Sequence, residues 1–108
     1  MQLDLTDAEL IFTDVNGVVQ RPICSQGKMV KDDVEGDTPF RIEAVTDRLV
    51  KFDPGNYHLE VVYKDPEDPN FFTTDDFFLD VRGYAGDGAG IFSLEGECAV
   101  TPIRNTII

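Results

Sequence analysis

Tryptophan is absent from this chain, histidine occurs once, and only two cysteines are found among its 108 residues. General acid–base or nucleophilic catalysis needs a second group that positions and tunes the first. His58 is the single histidine, on the expected outward face of its strand, and nothing in the sequence identifies such a group for it. Cys24 and Cys98 lack the Cys and His companions of a zinc site. They are expected as two reduced thiols, with a disulfide between them as the alternative. Cys98 shares strand parity with Leu94 and Val100 and should therefore face the core. Basic residues are also scarce. Nine Lys and Arg stand against 21 Asp and Glu, a formal charge of −12. Such a charge repels nucleic-acid backbones and anionic membrane surfaces. It leaves two uses open, solubility or an acidic face that receives a basic partner. No apolar run of about 18 residues is present, so a transmembrane helix is excluded. Met1-Gln2-Leu3-Asp4-Leu5 has an early acid and no long apolar block, so a secretory signal is not expected.

What the chain does have is apolar content spread evenly, 42% of residues with eight Phe and three Tyr. That suffices for the core of one domain, residues 1–108, without a metal or a disulfide. The clearest segment is Pro54-Gly55-Asn56-Tyr57-His58-Leu59-Glu60-Val61-Val62-Tyr63. Here Tyr57, Leu59, Val61 and Tyr63 point one way and His58, Glu60 and Val62 the other, the mark of a strand with one buried face. Ala8, Leu10 and Phe12 alternate in the same manner, and Asn16-Gly17 then signals a hairpin returning through Val18-Val19-Gln20-Arg21.

Between Pro22 and Pro39 the pattern fades into acids and glycines, leaving a long irregular stretch with Lys28–Lys31 as a short edge strand. Strands are expected at 40–45, 49–52, 71–74, 77–82, 91–94 and 97–101, with a flexible connection over the glycines from 83 to 90. About seven or eight short strands with no amphipathic helix define an all-β chain, a sandwich or small barrel.

No segment supports a reaction. Ser25 and Ser93 lack the turn that presents a nucleophile, and the glycines at 83, 86, 88 and 90 lack the following helix of a phosphate loop. Asp32, Asp33, Glu35 and Asp37, or Asp65, Glu67, Asp68 and Asn70, offer oxygens to Ca²⁺ but not in an EF-hand order. Asp75 and Asp76 would need a pocket to act as an acid/base pair. No catalytic, cofactor or metal residue is assigned. Phe71, Phe72, Phe77 and Phe78 are different, because only one parity of a strand is buried and the other ring is left to contact a partner. Tyr84 is the one aromatic expected in a loop.

Three segments together carry a resemblance. Leu3-Asp4-Leu5-Thr6-Asp7-Ala8 with Leu10-Ile11-Phe12, Pro54 to Val61, and Gly96-Glu97-Cys98-Ala99-Val100-Thr101-Pro102 resemble small phage virion domains, notably the N-terminal domain of phage baseplate upper proteins. The resemblance implies a single immunoglobulin-like antiparallel β-sandwich. It also implies a non-enzymatic connector located in the virion of a tailed bacteriophage, without cofactor, bound to other virion structural proteins. The chain departs from that family in its acidic 22–39 segment and in lacking the long helical segment that often follows. A capsid decoration protein is one alternative, and a carbohydrate- or calcium-binding adhesion module is another.

Overall fold

In a computed structural model, the described residues are 1–32, 36–64, 67–68, 70 and 72–99. They form eight strands: β1 (Gln2–Asp4), β2 (Glu9–Asp14), β3 (Val19–Gln20), β4 (Cys24–Lys31), β5 (Asp37–Thr46), β6 (Gly55–Lys64), β7 (Phe72–Gly86) and β8 (Ile91–Ala99). All pairings are antiparallel, in the single order β1-β4-β5-β8-β7-β6-β2-β3. The all-β reading stands, with no helix among the described residues.

The two strands at the ends of that order belong to the two arms of one hairpin. Gln2 opposes Val30, Leu3 opposes Met29, Glu9 opposes Ile23 and Phe12 opposes Gln20, one unbroken register from the tip to the chain start. The amides of Leu5 and Leu10 donate to the carbonyls of Gly27 and Pro22 between them. One arm, β1–β2, also bonds β6, and the other, β3–β4, also bonds β5. The sheet therefore closes on itself as a barrel, so the immunoglobulin-like sandwich of two separately bonded layers is not confirmed. Alternation does not distinguish these architectures, since both bury every second side chain. What decides is how the strands pair, and closure removes most of the exposed edges that open sheets must protect.

Inward residues form one cluster. Phe12, Leu10, Ile42, Leu59, Val61, Leu79, Val81, Leu94 and Met29 are almost wholly buried. The arm β1–β2 bends where Asp4 Oδ1 accepts from the Thr6 amide (2.9 Å) and hydroxyl (2.7 Å). Asp7 then adopts a positive φ of 63°, and the bend sends both Leu5 and Ala8 inward.

Among its described residues the stretch from 22 to 39 is mostly strand rather than irregular, and the strand expected at Lys28–Lys31 is present but is not an edge. Cys24–Lys31 is a strand bonded on both sides, and β5 begins already at Asp37. A bulge between Cys24 and Gln26 switches parity, so that Cys24, Met29 and Lys31 all turn inward, and this hides the alternation. The first half of the glycine stretch is likewise strand, since β7 runs through Gly86 past a register shift between Val81 and Gly83. The segments expected at 71–74 and 77–82 merge into β7, and those at 91–94 and 97–101 merge into β8 as far as Ala99. Phe71 and residues 100–101 lie outside the described residues.

Residues 49–52 alternate as expected but are not a strand. The segment from Asp47 to Pro54 crosses one end of the barrel and closes it, with Val50 and Phe52 inward and Leu49 outward. Side chains hold its backbone. Gln20 donates to the Lys51 carbonyl (2.9 Å) and accepts from its amide (3.1 Å). The Tyr57 hydroxyl donates to the Asp53 carbonyl (2.9 Å), and that of Tyr84 donates to the Val50 carbonyl (3.0 Å). Asp47 accepts from the Ile23 amide at 2.8 Å.

Two hairpin tips at this end use the same device. Asp14 Oδ1 accepts from the amides of Asn16 and Val18, and Asp87 Oδ1 from those of Ala89 and Ile91. Gly17 (φ 81°) and Gly90 (φ 115°) take the left-handed position. Asn16 does not, so the first hairpin is a wider turn with a left-handed glycine rather than a two-residue Asn-Gly turn.

Candidate functional site

On the outer wall, β2, β6, β7, β8 and β5 lie side by side, and their registers align one row across the barrel. Thr13 opposes His58, His58 opposes Phe78, Phe78 opposes Ala99, and Ala99 opposes Asp37. Along this row runs a groove of about 430 Å³, with Phe78, Leu79 and Ala99 in its lining. Asp14, Asp37, Asp80 and Glu97 also line it, and among the described residues the only base in its lining is His58. Apolar floor and acidic rim give it a definite character. A basic, partly apolar segment would lose little on entering, whereas an anion would be repelled.

Phe78 is the central feature, 46% exposed on a strand whose inward residues, Leu79 and Val81, are buried. Phe77 turns the other way and packs against the core. The expected division of this pair by parity is what the structure shows. Phe72, at the start of β7, is more exposed still at 65%. Phe71 lies outside the described residues. Tyr84 is not in a loop but in β7. Its ring meets Phe52 edge-on at 5.8 Å, and its hydroxyl holds the Val50 carbonyl, so this aromatic helps fix the closing segment.

His58 has the companions that the sequence reading did not find. Its ring stacks on Phe78 with centroids 5.0 Å apart and planes 18° from parallel. Nε2 lies 3.2 Å from Asp76 Oδ1, and Nδ1 lies 3.9 Å from Glu60 Oε1. Glu60 follows two places along β6 and so shares its face, and Asp76 opposes Glu60 across the ladder. Sequence proximity could have revealed Glu60. Asp76 is eighteen positions away and becomes a neighbour only through the β6–β7 register.

Asp75 does not join Asp76, because consecutive strand residues face opposite sides. Its carboxylate accepts from the Tyr63 hydroxyl at 2.8 Å. Both cysteines are free and buried. Burial pushes the Cys24 thiol up to about 11 and raises that of Cys98 as well, so neither is a ready nucleophile. Ser25 donates to the Val45 carbonyl at 3.2 Å. Of the acids considered for calcium, Asp33, Glu35 and Asp65 lie outside the described residues.

A second groove, of about 720 Å³, lies on the wall between β4, β5, β7 and β8, with Lys28, Arg41, Glu43 and the half-exposed Ile91 in its lining. Its charge is mixed and, among the described residues, it holds no outward aromatic ring. No protein-family model matches the chain, and neither a curated protein nor a solved structure matches it.

Proposed function

We propose that this chain is a non-enzymatic connector that grips a neighbouring protein through the Phe78 groove, as a structural component of a tailed-bacteriophage particle. The observation that carries the binding role is Phe78 itself, a half-exposed aromatic in an apolar trough with an acidic rim. Aromatic rings in partly enclosed surface sites are the usual anchors of protein interfaces. The matching partner segment presents an apolar side chain to Phe78 and Ala99, and Lys or Arg to Asp14 and Asp37, since Asp80 and Glu97 already pair with Arg82. The phage setting rests on the resemblance of the opening, middle and closing segments to baseplate upper proteins.

Completing the burial of a half-exposed phenylalanine contributes roughly 1 kcal/mol, a modest amount. Repetition across a symmetric particle turns such contacts into firm attachment. A rigid closed barrel suits this role, because little conformational entropy is lost on docking.

The test is a photo-crosslinking amino acid in place of Phe78, carried into assembled particles. The expected product joins this chain to one defined virion protein, whose place in head or tail then separates a connector from a decoration protein. Crosslinks that are absent, or scattered over many proteins without preference, would overturn the groove as the docking site.

A further inference from the structure

We infer that His58, Glu60 and Asp76 form a binding site for a divalent transition-metal ion of the Zn²⁺ type on the outer face of β6 and β7. Each offers one donor atom, and those atoms lie within 4.8 Å of one another. A tetrahedral ion with ligands at about 2.0–2.1 Å holds its donors roughly 3.3 Å apart. The Nε2–Asp76 separation of 3.2 Å already matches that spacing. Glu60 sits beside the other ring nitrogen, and a change of rotamer in this partly exposed side chain brings its carboxylate round to the same ion. The backbone fixes the rest, since two residues on one face of β6 and one directly across on β7 make a compact triangle.

Two further observations favour a cation here. The imidazole is restrained by its stack on Phe78, so less ring freedom is lost when an ion binds. The charge balance is also unlike that of the other acids paired along the wall. Glu9 is paired with Arg21, Glu43 with Arg41 and Lys28, and Asp80 and Glu97 with Arg82. Among the described residues, Glu60 and Asp76 form no ion pair with a Lys or Arg, and the one basic side chain within ion-pair distance of either is His58. A bound dication neutralises both carboxylates. One imidazole with two carboxylates suits Zn²⁺, Mn²⁺ or Fe²⁺ better than Cu⁺, and the nitrogen donor disfavours Ca²⁺ and Mg²⁺. Three protein ligands leave a position open to water or to a donor from a docked partner.

The chain's single histidine makes the test unambiguous. Zn²⁺ is titrated into the full chain while the two carbon-bound ring protons of His58 are followed by NMR and the heat by calorimetry. The expected result is one saturable site that shifts both ring signals, is reversed by EDTA and survives millimolar Mg²⁺. H58A, E60Q and D76N should each weaken binding by at least the roughly 10-fold that loss of a metal-site partner costs. E43Q, on β5, should leave it unchanged. Three results would overturn the site: no binding heat, unmoved ring signals, or undiminished binding in H58A. The last would show only diffuse attraction of cations to a chain of charge −12. None of these outcomes depends on whether the Phe78 crosslink forms.

Discussion

Replacing Phe52 by alanine tests whether the 47–54 segment is part of the barrel or merely lies over it. Phe52 is 3% exposed. Its ring is edge-on to Phe12 at 4.6 Å, Tyr57 at 5.6 Å and Tyr84 at 5.8 Å, and tilted against Phe92 at 5.3 Å. Truncating a buried phenylalanine costs about 3–5 kcal/mol. Edge-to-face pairs add about 0.5–1.5 kcal/mol each beyond area burial, which places this site toward the upper end. A domain of this length has a total stability of only about 5–15 kcal/mol, so the loss is a large share. With an unfolding entropy of about 2.1 cal/mol/K per residue, each kcal/mol moves the midpoint by roughly 4 °C. The expected fall in Tm is therefore about 13–22 °C. F52L keeps most of the volume and should cost only about 1–2 kcal/mol. Because tryptophan is absent, unfolding is followed by far-UV circular dichroism in urea and heat. Hydrogen exchange provides the local readout, with amides of 49–53 losing protection in F52A before those of β5 and β8. A loss below about 1 kcal/mol, well under the buried-ring range, would refute the reasoning and show that the segment is not docked.

Other consequences concern acid, thiols and close packing. Asp47 is held down to about 2, first by the Arg48 side chain and then by the Ile23 amide. Asp87 is lowered chiefly by the Ala89 amide, and Asp4 by the Thr6 hydroxyl. A carboxylate depressed on folding contributes stability above its unfolded value, and that contribution is lost as pH falls through the folded one. Thermal melts should therefore hold between pH 7 and 5 and fall below the ordinary aspartate value of 3.8, and D47N should flatten that fall. An equal slope in wild type and D47N would count against this cause. At pH 8, iodoacetamide should leave Cys24 and Cys98 unmodified in the native chain and alkylate both in urea, as mass spectrometry reads; rapid native labelling of either would contradict their burial. At Gly96 a methyl group would strike the Asp80 carbonyl across the β7–β8 ladder, so G96A should cost more than the roughly 1–3 kcal/mol of ordinary overpacking. A melting curve like wild type would mean the strands are not packed so closely.

How much of this could be read in advance depended on whether inside and outside kept a fixed parity. In β6 they do. Tyr57, Leu59 and Val61 are buried while His58, Glu60 and Val62 are only partly so, as the sequence pattern expects. In β4 the bulge breaks parity, so only Lys28–Lys31 was legible as strand and Cys24–Gly27 looked like loop. Its lysines suggested an edge, yet Lys31 faces the core and the strand is bonded on both sides. In β7 the glycines suggested flexibility, yet Gly83 lies opposite Glu95, whose side chain fills the space a Cβ would need. Residues 49–52 show the converse error. Their alternation is real, but it reflects a loop inserting Val50 and Phe52, and the backbone bonds that define a strand are replaced by Gln20, Tyr57 and Tyr84.

The candidate site was legible only in its aromatic half. Parity alone leaves one of Phe77 and Phe78 outward, and Phe78 is that residue. The partners of His58 were not legible, because a strand pattern does not carry the register that sets Asp76 beside it. The same gap separates the sandwich expectation from the observed single closed sheet. Pairing partners are a property of topology, which local sequence does not encode.

The connector reading is tested most directly by a mass-spectrometric inventory of phage particles purified from the strain that encodes this chain. The account predicts its peptides at a fixed copy number relative to a known tail or head protein, retained through a high-salt wash. Absence of the chain from intact particles, while it accumulates in the same infected cells, would contradict it.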